Sequence, residues 1–202
     1  MADLNRKVQD AGAAAQAGLN FSGCMMRYHA TAFSFFHNKK FSMSYWLMKS
    51  EPDEVSVDDA LAASLQTVAW TGVRNYQARN FMRDSMRIGD GVLFYHSSCP
   101  QPGIAGIAEV ASTAYPDPTQ FDKKSPYYDP QSDQEHPRWM LVDVKVTQKI
   151  QLIALSTLRE QEELVDMILL RKGNRLSVMS VTTAEWNFIT KKLIKKTAKE
   201  KI

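Results

Sequence analysis

Residues 138–149 read RWMLVDVKVTQK, and in them Met140, Val142, Val144 and Val146 alternate with Leu141, Asp143, Lys145 and Thr147. A two-residue apolar period is the signature of an extended strand with one face buried, and it excludes a helix over the same residues. A strand of this kind needs partners, and the chain supplies them. YWLMK (45–49) is a short aromatic-rich run ended by SEPD, and GVLFYH (91–96) and GIAGIAEVAS (103–112) are strand-like runs joined by SSCPQP, a hairpin connection. Leu176, Val178 and Val181 in GNRLSVMSVT predict one more short strand.

Helical signals fall between these runs. Ser56 with Asp59 three residues on begins a short helix over 56–63, and Thr182 with Glu185 has capping-box spacing ahead of an apolar stripe of Trp186, Ile189 and Leu193. Asn75 can cap a helix carrying Phe81, Met82 and Met86 and stopped by Gly89-Asp90, which would set Arg79, Arg83 and Arg87 along one edge. ELVDMILLR (163–171) also reads as helical, and the Pro-, Asp-, Ser- and Tyr-rich segment 115–137 reads as a long loop. Strands separated by helices, too irregular for repeated βαβ units, predict an α+β fold with a curled or barrel-like sheet.

The first forty-odd residues differ in texture. AGAAAQAG is low in complexity, and no acidic residue occurs between Ala11 and Ser50. Residues 1–43 are expected to be a disordered extension, either a targeting leader or sequence upstream of a start at Met43. The compact domain is expected over 44–190, followed by a lysine-rich tail over 191–202.

The net charge of +3 conceals an uneven distribution, with +5 on residues 191–202, +3 on 1–42 and therefore −5 on 43–190. A domain of that balance cannot coat a phosphate backbone by bulk charge, so any nucleic-acid contact has to be local. No apolar run approaches the ~18 residues that a membrane helix requires, which points away from a membrane partner. Cys24 and Cys99 are far apart and form no C-x-x-C. That pattern suits unpaired thiols in a reducing, cytoplasmic setting and offers no metal signature.

WTGVRNYQARNFMR (70–83) concentrates an indole, three arginines and several amides and rings. Flat hydrogen-bonding and stacking groups are suited to holding another flat, polar object. Catalytic constellations are missing: no nucleophile elbow, P-loop, dinucleotide fingerprint or H-E-x-x-H occurs. Neighbouring Ser and His side chains on an extended strand point apart, so His96 and Ser97 are not a ready base and nucleophile. Glu51, directly after the 45–50 run, is the carboxylate weighed for catalysis, and Pro52 beside it reads as a structural turn. The expected activity is therefore binding without catalysis, with no cofactor and no metal.

The blocks YWLMKSEP, WTGVRNYQARNFMR, VLFYHSSCPQPGIAGIAEV, AYPDPTQFD, SPYYDP, PRWMLVDV, NRLSV and VTTAEW resemble, in order and spacing, those of EVE-domain proteins of the PUA-like superfamily. The resemblance covers about residues 44–190. It implies a small β-barrel decorated with helices and a pocket related to that of YTH domains, which hold a modified base in an aromatic cage. It further implies binding of DNA carrying a modified cytosine such as 5-methylcytosine. Carried over by block, the base-pocket candidates are Lys49 and Ser50; Trp70, Val73, Arg74 and Asn75; and Tyr95, His96 and Ser97. Arg79, Arg83 and Arg87 are the candidates for phosphate contacts, and Ser98 stands where many relatives carry asparagine.

The candidate set suits such a ligand. A cytosine pairing edge offers an amino donor and two acceptors, and Ser50, Asn75, Ser97 and backbone groups can meet both kinds while Trp70 or Tyr95 stacks on the ring. Two other readings use the same slot: a reader of modified bases in RNA, and an enzyme or metabolite binder acting on a nucleoside-like ligand.

Overall fold

The computed structural model describes residues 43–195. The expected leader up to residue 42 and the end of the lysine-rich tail, 196–202, lie outside the described residues. β1 (Tyr45–Ser50), β3 (Gly91–His96) and β4 (Gly103–Val110) form where the short apolar runs predicted strands. With β2 (Thr67–Ala69), β7 (Asp143–Ala154) and β8 (Val178–Val181) they build one six-stranded sheet in the order β2-β7-β4-β3-β1-β8. All neighbours pair antiparallel except β1 and β3, which run parallel with Lys49 opposite Tyr95 and Ser50 opposite His96.

The sheet is buried on both sides at its centre. Along β1 and β3, Trp46, Met48, Val92 and Phe94 enter one apolar cluster, while Leu47, Leu93 and Tyr95 enter a second. This alternation of two buried faces explains why GVLFYH carries no polar residue before His96. Register shifts interrupt β3–β4 between Phe94 and Tyr95, and β4–β7 at Ile104/Gly106 and Ile107/Ala108. Such bulges increase local twist and bend the strands, curling the sheet into a half-barrel. They also change the phase of β7: Val144 and Val146 face the first cluster, whereas Ile150, four residues beyond Val146 and so of the same parity, faces the second.

Both predicted capping boxes form. Ser56 Oγ accepts from Asp59 N–H at the start of α1 (Val57–Ala62), and Thr182 Oγ1 accepts from Glu185 N–H at the start of the C-terminal helix, Thr183–Phe188. Asn75 caps α2 (Tyr76–Asn80) by accepting from the N–H groups of Gln77 and Ala78. A further short helix, α3 (Leu155–Arg159), follows β7 directly, which makes the C-terminal helix α4.

Several expectations need correction. The helix capped by Asn75 widens after Asn80 into a turn closed by Met86 N–H to Phe81 C=O, five residues apart, and it stops at Ser85 instead of Gly89. The wider turn breaks the four-residue spacing, so Arg87 lies beyond the helix and Arg79, Arg83 and Arg87 do not share one edge. ELVDMILLR forms two 3₁₀ turns, Glu162–Leu164 and Ile168–Leu170; burying Leu164, Met167 and Leu169 in the second cluster needs only their short spacing. Leu141, expected on the open face, is fully buried, because the strand breaks at Val142. The part before the break, β6 (Met140–Leu141), pairs with β5 (Tyr115–Pro116) and closes the base of the long loop.

At Gly103, β4 lies tightly against β7. A Cβ there would sit 2.3 Å from the carbonyl oxygen of Ile153, a backbone atom held in the β4–β7 ladder. Gly103→Ala is expected to lower unfolding free energy by about 1–3 kcal/mol through overpacking, read as a fall in urea midpoint at unchanged slope.

Candidate functional site

β1 ends at Ser50 and the chain makes a tight turn, with the N–H groups of Glu54 and Val55 both donating to Glu51 C=O at 2.9 Å. Three side chains and one amide fix this turn. Ser50 Oγ donates to Val55 C=O at 2.5 Å, Ser97 N–H donates to Ser50 C=O at 2.8 Å, and Ser97 Oγ donates to the same oxygen at 3.3 Å. His96 Nε2 accepts from Val57 N–H at 3.1 Å, joining the end of β3 to the first residue of α1. Burial pushes the His96 pKa below its ordinary value, which favours the neutral ring that this acceptor role requires.

The opposite wall is built by WTGVRN and the loop after β5. Trp70 and Val73 are buried in the first cluster, where the Trp70 ring meets Phe94 edge-on at 5.1 Å. Gly72 has φ +81°, and a Cβ on it would lie 2.8 Å from the Tyr127 ring, so the ring rests directly on bare backbone. Arg74 holds the same residue: Nε and Nη2 donate to Tyr127 C=O, and the guanidinium lies 5.5 Å from the Tyr127 ring centre. Its Nη1 pairs with Asp117 Oδ2 at 2.8 Å, and Nη2 donates to Thr119 Oγ1 at 2.9 Å.

Asp117 is 1% exposed. Burial alone would raise its pKa, but hydrogen bonds from Arg74, Thr119 and the Gly72 N–H outweigh burial and hold it below the ordinary carboxylate range.

Between the two walls opens a cleft of about 230 Å³. Lys49, Ser50, Glu54 and Val55 line one side; Val68, Ala69, Trp70 and Thr71 line another; Tyr127 closes the third. The volume falls below the ~300–1,000 Å³ typical of pockets for drug-sized ligands and suits a single ring. Trp46 and Trp139 spend their indole N–H groups on Asp90 and Asp129, whereas the Trp70 N–H has no acceptor among the described residues and is not sealed from solvent. The Tyr127 hydroxyl donates to Glu54 Oε1, and that bond, followed by burial, pushes its pKa up to about 12. Burial lowers the pKa of Lys49, whose ammonium has no hydrogen-bond or ion-pair partner among the described residues.

The structure thus brings Lys49, Ser50 and Trp70 to the cleft and assigns the other candidates different places. Val73 is a core residue, Arg74 grips the Tyr127 loop, and the Asn75 side-chain oxygen is occupied in capping α2. Tyr95 lies in the second cluster across the sheet from Phe94, because adjacent strand residues face opposite sides. His96 and Ser97 position the 51–57 turn. Glu54 and Tyr127 are lining residues that the sequence did not single out. SPYYDP contains Tyr127 and was one visible signal, while Glu54, not Glu51, is the carboxylate that reaches the cleft.

The arginines near α2 form a partly self-satisfied surface. Arg83 makes a bidentate pair with Asp84 at 2.7 and 2.8 Å, and both are well exposed, so the pair is worth little. Arg79 donates to Asn80 and Arg138 C=O, and Arg87 donates to the carbonyls of Met86 and Asp84. Each guanidinium therefore spends two of its five N–H donors on the protein. Arg79 also caps a ladder: it lies 4.9 Å from the Tyr76 ring, Tyr76 stacks on Trp139 at 4.9 Å, and Arg74 lies 5.4 Å from Trp139. Among the described residues no group of three His, Cys, Asp or Glu could hold a metal, and no helix is long and apolar enough to cross a membrane.

Comparison with known proteins finds relatives of this chain. The family model described as EVE domain matches residues 44–192. Thymocyte nuclear protein 1 of Homo sapiens is 41% identical over 164 residues, covering 72% of this chain and 72% of that protein. A crystal structure of human THYN1 protein in complex with 5-methylcytosine containing DNA matches at TM-score 0.68 and 41% identity, covering 72% of this chain and 95% of the other. A Pseudomonas syringae protein of known structure matches at TM-score 0.69 and 49% identity, covering 72% and 96% of the two chains.

Arg74→Met leaves Asp117 buried without its cation and is expected to cost about 3–5 kcal/mol at neutral pH. Because the folded pKa of Asp117 is depressed, the wild-type contribution is complete above the ordinary carboxylate pKa of ~3.9 and is lost as pH falls through the folded value. The stability gap between wild type and variant, measured by urea unfolding, is therefore expected to narrow at acid pH.

Proposed function

The chain belongs to the EVE domain family, and from that premise we propose that it binds DNA and holds one flipped, modified cytosine of the 5-methylcytosine type in the Trp70–Tyr127 cleft, without chemical change. The observation that carries this reading is the open, ring-sized cleft on a fold shared with a protein whose structure contains 5-methylcytosine DNA. The domain that does so is residues 44–190, with the lysine-rich tail as an added polycation. Cys99, a free thiol, suits action in a reducing cytoplasm.

The residues divide the work. Trp70 and Tyr127 offer aromatic surface to the base, and Lys49, Ser50, Thr71 and Glu54 surround it with donors and acceptors. Arg74, Asn75, His96, Ser97 and Val73 hold those groups in place, with Tyr95 in the core behind them. The remaining N–H groups of Arg79, Arg83 and Arg87 contact phosphates, and Arg83 exchanges its exposed pairing with Asp84 for them at small cost.

Magnitudes set the expected selectivity. Extruding a base from a duplex costs a few kcal/mol, stacking on an aromatic returns about 1–3, and burying the extra methyl adds roughly 0.8. Preference for 5-methylcytosine over cytosine is therefore expected to be only a few-fold, with phosphate contacts supplying much of the affinity.

A titration against duplexes differing at one cytosine, with matched RNA as competitor, tests the proposal. Trp70→Leu keeps an apolar side chain against Phe94 but removes the indole, and it is expected to weaken binding about 5- to 100-fold. Unchanged affinity and selectivity in a folded Trp70→Leu protein, or tighter binding of the RNA, overturns the assignment.

A further inference from the structure

We propose that Glu54 is the specificity-determining acceptor for the exocyclic amino group of the bound base, so that the cleft accepts amino-bearing pyrimidines and rejects the otherwise similar thymine. This rests on the reading that the cleft holds a flipped pyrimidine. Glu54 is the one carboxylate lining the cleft. It stands on the turn closed by its own N–H to Glu51 C=O and pinned by Ser50 Oγ on Val55 C=O, so its backbone is set by local bonds instead of by a ligand.

The carboxylate is also oriented from the far side. Tyr127, seated on Gly72 and held through its carbonyl by Arg74, donates its hydroxyl to Oε1. An ionised carboxylate has about four lone-pair positions, and Oε2 has no partner among the described residues. No cation pairs with Glu54 there, so its negative charge is unspent.

Such a group discriminates in both directions. The amino group at position 4 of a cytosine donates to Oε2, whereas thymine places a carbonyl oxygen at the same position and sets acceptor against acceptor. 5-Methylcytosine and thymine carry the same methyl group, so burial of the modification cannot separate them. A polar contact of this quality is expected to be worth about 10- to 100-fold in preference.

The experiment titrates full-length protein against labelled duplexes carrying 5-methylcytosine, thymine or no base at one position, each opposite an abasic site so that unpairing costs are equal. Wild type is expected to bind the 5-methylcytosine duplex about 10- to 100-fold more tightly than the thymine duplex. Glu54→Gln offers an amide that can donate to the thymine carbonyl and is expected to bring the ratio to within about three-fold or invert it. Tyr127→Phe removes the hydroxyl but leaves the carboxylate, and is expected to weaken binding while keeping the preference. A Glu54→Gln protein with the wild-type ratio overturns the proposal but leaves the cleft as the base site. Loss of the ratio in Tyr127→Phe reassigns discrimination to the hydroxyl and also overturns it. Wild type that binds all three duplexes equally removes the cleft reading itself.

Discussion

The ion pair between Arg74 and Asp117 joins two parts of the chain that no strand connects: the WTGVRN segment after β2 and the loop after β5. Asp117 collects the Gly72 N–H, the Arg74 guanidinium and the Thr119 hydroxyl and amide, and Arg74 passes the constraint on to the Tyr127 carbonyl. In a nearly dry setting, an unpaired carboxylate or guanidinium is costly, so these groups are satisfied together or the loop detaches. The cleft inherits its third wall from that arrangement. The same guanidinium lies near the rings of Trp139 and Tyr127, which ties the Tyr76–Trp139 stack into the support of the site.

A second set of constraints works from the other side. The parallel pairing of β1 and β3 puts Ser50 beside His96, and from these two positions hydrogen bonds reach Val55 and Val57. The turn between strand and helix is thereby fixed at two points, and Glu54 is carried directly before the first of them. Rigid elements behind a short, pinned turn hold a side chain more accurately than a free loop does.

Alternation and capping chemistry were readable because each depends on residues close in sequence: the strands at 45–50, 91–96 and 103–110 and the Ser56 and Thr182 caps all appear where the pattern put them. The wide turn at 81–85 was not readable, because its five-residue bond competes with the ordinary helical one only through tertiary packing of Met82 and Met86. For the site, the motif blocks point to residues of which some line the cleft and others stand behind it. Ser50 and Trp70 line the cleft, whereas Asn75, His96 and Ser97 act one step behind it through backbone groups. Tyr127 escaped notice because its contacts with Glu54, Gly72 and Arg74 span at least fifty positions of chain, and a single sequence does not display pairings of that range.

The Tyr127 ring rests on Gly72 at a distance that leaves no room for a methyl group. Restoring ordinary carbon contact from 2.8 Å would drive the ring outward by roughly 1 Å, and the phenol would carry its oxygen away from the facing carboxylate by a similar amount. The bore of the slot is thus gauged by an atom the chain omits. Related chains that carry alanine at this position would have to offer their ligand a different aperture, whatever the identity of the groups that touch it.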